Sequence, residues 1–138
     1  MLIPLMALRV LVVDDHESVR KGVCSILGSR HDIELCGEAA DGGEAIEKTR
    51  SLSPDIIIMD ITMPVMDGMT AAREIRKTWL NIAIIVLSMH DGKQLVDSAR
   101  QFGLRGYVKK SEAASSLLQA VDSVIAGDPF FPPLAATF

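Results

Sequence analysis

The chain has 138 residues, 49% hydrophobic and 23% charged, with 14 lysines and arginines against 18 aspartates and glutamates for a formal net charge of −4. That length suits one domain with a real core, and the balance is that of a folded globular protein rather than a disordered one. There is no basic surplus to suggest nucleic-acid binding by this segment, and no apolar stretch nears the roughly 20 residues that span a bilayer.

The opening MLIPLMALRVLVV is apolar but has neither a charged leader nor a small-residue cleavage site. It reads as a lead over residues 1–7 and a buried strand, Leu8–Val13, with a cytoplasmic protein as the default. Val19, Val23, Ile26 and Leu27 then recur at helical spacing and Gly28 supplies a stop. In the second run, Ile33–Gly37, the residues Ile33, Leu35 and Gly37 alternate with Glu34, Cys36 and Glu38, the pattern of a strand at a sheet edge. Ala45 and Ile46 mark a short second helix. The near-continuous apolar run Ile56–Met59 predicts a strand buried on both faces. Met69, Ala72, Ile75 and Trp79 mark a third helix, Ala83–Leu87 a fourth strand, and Leu95, Ala99 and Phe102 a fourth helix ended by Gly103. After a fifth strand, Gly106–Val108, a last helix carries Ala114, Leu117, Leu118, Val121, Val124 and Ile125 before Gly127. The closing residues 128–138 contain three prolines, which preclude a further helix or central strand, so they read as a linker or docking extension. Cys24 and Cys36 form no CxxC pair and read as buried or half-buried free thiols.

Strands alternating with helices call for a parallel sheet covered on both faces, an α/β domain. The polar residues that interrupt the apolar pattern fall at the carboxyl ends of the strands: Asp14 and Asp15, Asp60, Ser88, Lys110. Open parallel sheets bind their ligands there. Taken singly, each has a plain reading as a turn former, helix cap, loop hydroxyl or solvated lysine. Their coincidence on one side of the sheet is what those readings do not explain. Three carboxylates in one pocket repel one another unless cations offset them. Hard oxygens suit a divalent ion such as Mg²⁺, and Mg²⁺ with Lys110 matches three negative charges. The same set suits phosphoryl transfer, because a carboxylate approaches an anionic phosphoryl group only when its oxygens are screened. Asp60, ending the hydrophobic strand IIIMD, is the best nucleophile; Asp14 and Asp15 are better placed as metal ligands.

The segments VLVVDDHE, DIIIMDITMPVMDGM, IIVLSMHD and GLRGYVKKS, in this order and spacing over about residues 8–127, resemble the receiver domains of two-component response regulators, most of all the NarL/FixJ (LuxR-type) subfamily. The resemblance implies a flavodoxin-like (CheY-like) doubly wound fold of five parallel strands in order 2-1-3-4-5 with five helices. It implies Asp60 as phosphoacceptor for a sensor histidine kinase. Asp15, Asp60 and the Thr62 backbone carbonyl would be Mg²⁺ ligands, with Asp14 a supporting or water-mediated one. Lys110 would contact the phosphoryl oxygens while Lys109 points to the other face. Ser88 would be the switch hydroxyl and Tyr107 the aromatic that moves with it, shifting the fourth-helix and fifth-strand side. Thr62 and His90 resemble positions that tune hydrolysis of the aspartyl phosphate. His16 and His31 read as loop histidines.

On the same resemblance the chain is a signalling phosphoacceptor rather than an enzyme, expected to dimerise on phosphorylation. NarL/FixJ-type regulators normally continue into a DNA-binding domain, so residues 128–138 are expected to lead toward an output region beyond Phe138, with a single-domain regulator as the alternative. A haloacid-dehalogenase-type enzyme needs two aspartates one residue apart after its first strand, which Asp14-Asp15-His16 does not offer. A flavodoxin-like cofactor binder needs a Ser/Thr/Gly-rich phosphate loop, which DDHESVRK lacks. A receiver acting only as a phosphorylation-independent interaction module is the remaining rival.

Overall fold

The computed structural model describes residues 7–61, 67–90 and 92–132. Strands and helices alternate in chain order: β1 Leu8–Val13, α1 Glu17–Gly28, β2 Ile33–Ala39, α2 Gly42–Leu52, β3 Ile56–Asp60, α3 Gly68–Thr78, β4 Ala83–Ser88, α4 Lys93–Gln101, β5 Gly106–Lys109, then a single 3₁₀ turn, Lys110–Glu112, running into α5, Ala113–Ile125. The strands form one parallel sheet in the order β2-β1-β3-β4-β5. This is the expected flavodoxin-like arrangement, with β2 at an edge.

Period-two alternation divides each central strand between two cores. Val10, Val12, Ile56, Ile58, Ile85, Leu87 and Val108 pack under α1 and α5, against Val23, Leu27, Leu117 and Val121. Leu11, Val13, Ile57, Met59, Ile84, Val86 and Tyr107 pack on the other face, against Ala45, Ala72, Ile75, Val96 and Ala99 from α2, α3 and α4. With both faces covered, the strands have no solvent side, and this is why they read as unbroken apolar runs.

Three expectations need correction. The alternation in β2 does not run through to Gly37. Val10 pairs with Leu35 but Leu11 pairs with Gly37, so a bulge at Cys36 reverses the faces of the residues that follow. Glu38 thereby faces α1 and meets Arg20, while Gly37 lies where a Cβ would run into Leu52 of α2. In α5 the buried stripe is Ala113, Leu117, Ala120, Val121 and Val124, whereas Ala114 is exposed and Ile125 is 52% exposed. Trp79 and Phe102 stand just past α3 and α4 as their C-caps rather than inside them.

Helix ends follow from local chemistry. Asp41 and Asp67 accept the N–H groups of Glu44 and Thr70, at 2.8 and 2.7 Å, capping α2 and α3. Gly103, at φ +79°, takes the left-handed turn that closes α4. The chain after α5 returns to the sheet. The Tyr107 N–H donates to the Phe130 carbonyl at 2.7 Å and the Phe130 N–H to the Arg105 carbonyl at 3.0 Å, so one residue of this segment adds to the free edge of β5.

Candidate functional site

Strand register brings the polar residues together. Val13 pairs with Met59, so Asp14 and Asp60 stand side by side one step further on. Asp60 pairs with Leu87, which puts Ser88 just beyond it on β4, and Ser88 pairs with Lys109, the residue before Lys110. Asp14, Asp60 and Ser88 are buried. The apolar runs that drive sheet formation thus carry their terminal polar groups out of water.

Asp14, Asp15, Asp60 and His16 each offer a ligand atom within 4.8 Å of the others. At an effective dielectric near 20, two like charges about 4 Å apart repel by about 4 kcal/mol, so three ionised carboxylates here need compensation. Lys110 supplies one charge: its Nζ lies 2.9 Å from Asp14 Oδ2 and 3.3 Å from Asp60 Oδ2, with the side chain only 12% exposed. Burial works against the Lys110 charge, yet the Asp14 carboxylate and then Asp60 outweigh it and hold its pKa above the ordinary lysine value. One lysine against three carboxylates leaves two negative charges. Asp15 Oδ1 is buried and accepts no hydrogen bond from the described residues. An oxygen-rich pocket with residual double negative charge and a buried carboxylate oxygen that accepts no hydrogen bond from these residues fits a divalent cation of the Mg²⁺ type.

Two residues shape this pocket without having stood out in the sequence. Arg20 Nη1 donates to the Asp14 carbonyl at 2.8 Å while its Nε donates to Glu38 Oε1 at 2.8 Å, tying the β1–α1 turn to the bulged end of β2. His16 was expected to be a plain loop histidine. Its backbone N–H donates to Asp14 Oδ1 at 2.9 Å, and its Nδ1 lies 3.2 Å from Asp15 Oδ1. Neither role is legible along the chain, because both depend on where α1 departs from the sheet.

Ser88, His90 and Tyr107 form a second group. The His90 N–H donates to Ser88 Oγ at 3.0 Å, and the Tyr107 hydroxyl donates to the His90 carbonyl at 2.6 Å. The Tyr107 ring is 1% exposed, lodged in the α3–α4 side of the core. Thr62, expected to lend a carbonyl to the metal and to tune hydrolysis, lies outside the described residues. Lys109 is the half-buried last residue of β5, and His31 sits exposed before β2. Both cysteines are half-buried and their thiol pKa values are raised, chiefly by burial, so neither is poised as a reactive thiolate.

A doubly wound sheet whose carboxyl ends gather three aspartates and a lysine matches one group of proteins throughout: residues 10–122 fit the response regulator receiver domain, and the chain belongs to that family. Its relatives narrow the placement to the NarL/LuxR branch of two-component signalling proteins, signalling molecules rather than metabolic enzymes. The response regulator protein VraR of Staphylococcus epidermidis is 41% identical over 93% of this chain, which spans 61% of the length of that relative. Among solved structures, a LuxR-family two-component response regulator from Aurantimonas sp. SI85-9A1 superposes with a TM-score of 0.86 at 37% identity, covering 91% of this chain and 89% of that one. A Borrelia burgdorferi CheX–CheY complex with BeF₃⁻ and Mg²⁺ matches with a TM-score of 0.81 at 33% identity, over 86% and 89% of the two chains. No helix among the described residues is long and apolar enough to cross a membrane.

Proposed function

We propose that Asp60 is the phosphoacceptor of a two-component relay. A carboxylate oxygen of Asp60 attacks the phosphorus of a phosphohistidine on a sensor kinase; the P–N bond breaks and the leaving imidazole takes up a proton. Asp15 and Asp60, with the carbonyl of Thr62 and with Asp14 as a supporting or water-mediated ligand, would hold Mg²⁺, which when bound would screen the phosphoryl oxygens. Lys110 adds a fixed positive charge on the side of Asp14 and Asp60 and transfers its contact to the new phosphoryl group. The observation that carries this reading is the Lys110 ammonium bridging two fully buried carboxylates beside a third.

The Ser88 hydroxyl then bonds the phosphoryl group. As the Ser88 hydroxyl turns to donate, its oxygen shifts under the His90 N–H that bonds it, and the Tyr107 hydroxyl is tied to the same residue, so a change at Ser88 is felt at Tyr107. Phosphorylation on this reading biases a pre-existing equilibrium and alters the α4–β5–α5 side. His90 and Thr62 tune the lifetime of the aspartyl phosphate. The altered surface promotes a homodimer and, in a cytoplasmic regulator of LuxR type, controls transcription through a DNA-binding region outside these residues.

The test is incubation with Mg²⁺ and acetyl phosphate followed by intact mass measurement. One phosphoryl group is expected, lost with EDTA and lost in Asp60→Asn. Unchanged labelling of Asp60→Asn would overturn the assignment, and no labelling of the wild type under any divalent ion would leave a phosphorylation-independent interaction module.

A further inference from the structure

We propose that His16 supplies a nitrogen ligand to the cation in this pocket, so that the site favours a borderline divalent ion of the manganese-to-zinc series over Mg²⁺. The inference rests on the metal-site reading above and adds the donor that sets its selectivity.

The geometry is that of two ligands sharing one ion. His16 Nδ1 lies 3.2 Å from Asp15 Oδ1 and 3.5 Å from Asp14 Oδ1. Ligands at right angles around a six-coordinate ion with bonds of about 2.1–2.2 Å lie about 3.0 Å apart, and opposite ligands about 4.3 Å apart. The four donors all lie within 4.8 Å of one another, so they can converge on one ion. These contacts bring a ring nitrogen and two carboxylate oxygens to one side of the pocket.

The ring neither caps the helix nor packs into the core. His16 is the N-cap residue of α1, yet its side chain makes no capping bond, and it is 62% exposed, so no core packing holds it there. Its backbone, by contrast, is fixed. The N–H is bound to Asp14 Oδ1 at 2.9 Å and the carbonyl accepts the Arg20 N–H at 2.9 Å. Arg20 in turn clamps the Asp14 carbonyl. The imidazole is therefore delivered beside Asp14 and Asp15 by a turn whose backbone is held on both sides.

The chemical consequence concerns selectivity. Mg²⁺ takes oxygen ligands and gains little from an imidazole, whereas first-row transition ions bind imidazole well. His16 thus separates this pocket from one built of carboxylates alone.

The deciding experiment loads wild type and His16→Ala with Mn²⁺ and records pulsed electron paramagnetic resonance for coupling to a ligand nitrogen-14. Calorimetry in parallel gives Mn²⁺ and Mg²⁺ affinities. Nitrogen coupling is expected in the wild type and not in His16→Ala, with Mn²⁺ affinity falling about tenfold and Mg²⁺ affinity changing less than about twofold. Bound Mn²⁺ without nitrogen coupling in the wild type, or an equal loss for both ions, would overturn the role of His16 while leaving the carboxylate site intact. Failure of the wild type to bind Mn²⁺ or Mg²⁺ at all would overturn the metal site and this inference with it.

Discussion

Lys110 carries more of the site's balance than any other single residue. It stands between two buried carboxylates, and its raised pKa means that its ion pairs contribute stability fully below the unfolded lysine value, about 10.4, and lose that contribution only as pH rises through the higher folded value. Lys110→Met in metal-free protein should therefore cost about 3 kcal/mol by denaturant titration, a deficit constant from about pH 6 to 9 that shrinks above about 10.4. A deficit that vanished near neutrality would show that Lys110 is not the counter-ion. Tyr107→Phe tests the neighbouring group. It strips the only hydroxyl that bonds the His90 carbonyl among the described residues and should cost about 1 kcal/mol. Labelling by acetyl phosphate should persist; abolished labelling would mean that Tyr107 acts in the chemistry rather than beside it. The aspartates, Ser88 and Lys110 stood out in the sequence because each interrupts an apolar run. Arg20 and His16 did not, since an arginine and a histidine in a polar helix start look alike whether they face water or a carboxylate.

At the scale of elements, the placement of Asp60 depends on how closely α3 returns to β3. The Gly68 N–H donates to the Ile61 carbonyl at 3.2 Å, and a Cβ on Gly68 would lie 1.9 Å from the Asp60 carbonyl oxygen and 2.6 Å from the Ile61 Cα. Backbone cannot yield as a side chain does. Gly68→Ala should destabilise by about 3 kcal/mol or more, while Gly37→Ala, whose clash at 2.6 Å is with the flexible end of Leu52, should cost about 1 kcal/mol. Equal costs in chemical denaturation would contradict the close approach. Strands and helices were legible because two-sided burial writes continuous apolar runs and one-sided burial writes a helical stripe. The bulge at Cys36 was not, because a register shift is a property of two strands and only one is visible at a time. The misread ends of α5 have a related cause. Ile125 continues the apolar period, but as the last residue of the helix it stands half in solvent.

For the whole molecule, the sheet order places the candidate site at one end and both cores behind it, so a cation bound there would be linked to global stability. Mg²⁺ at one hundred times its dissociation constant should stabilise the wild type by about 2.7 kcal/mol, an effect expected to be much reduced in Asp15→Asn. The return of Phe130 to β5 extends the folded unit past α5, a feature hidden in the sequence by the prolines around it. Removing residues 129–138 should cost about 2 kcal/mol through two lost backbone bonds and leave the β5 edge open, read as a lower unfolding midpoint and greater self-association. An unchanged midpoint would show that the contact is incidental. All of this presupposes that Asp60 is the residue that receives the phosphoryl group. Borohydride reduction tests that most directly, because it converts an aspartyl phosphate to homoserine at the modified position, which peptide mass spectrometry then locates. After labelling with acetyl phosphate and Mg²⁺, homoserine is expected at position 60 and at no other; homoserine in place of Asp14 or Asp15, or none in protein shown to carry the label, would contradict it.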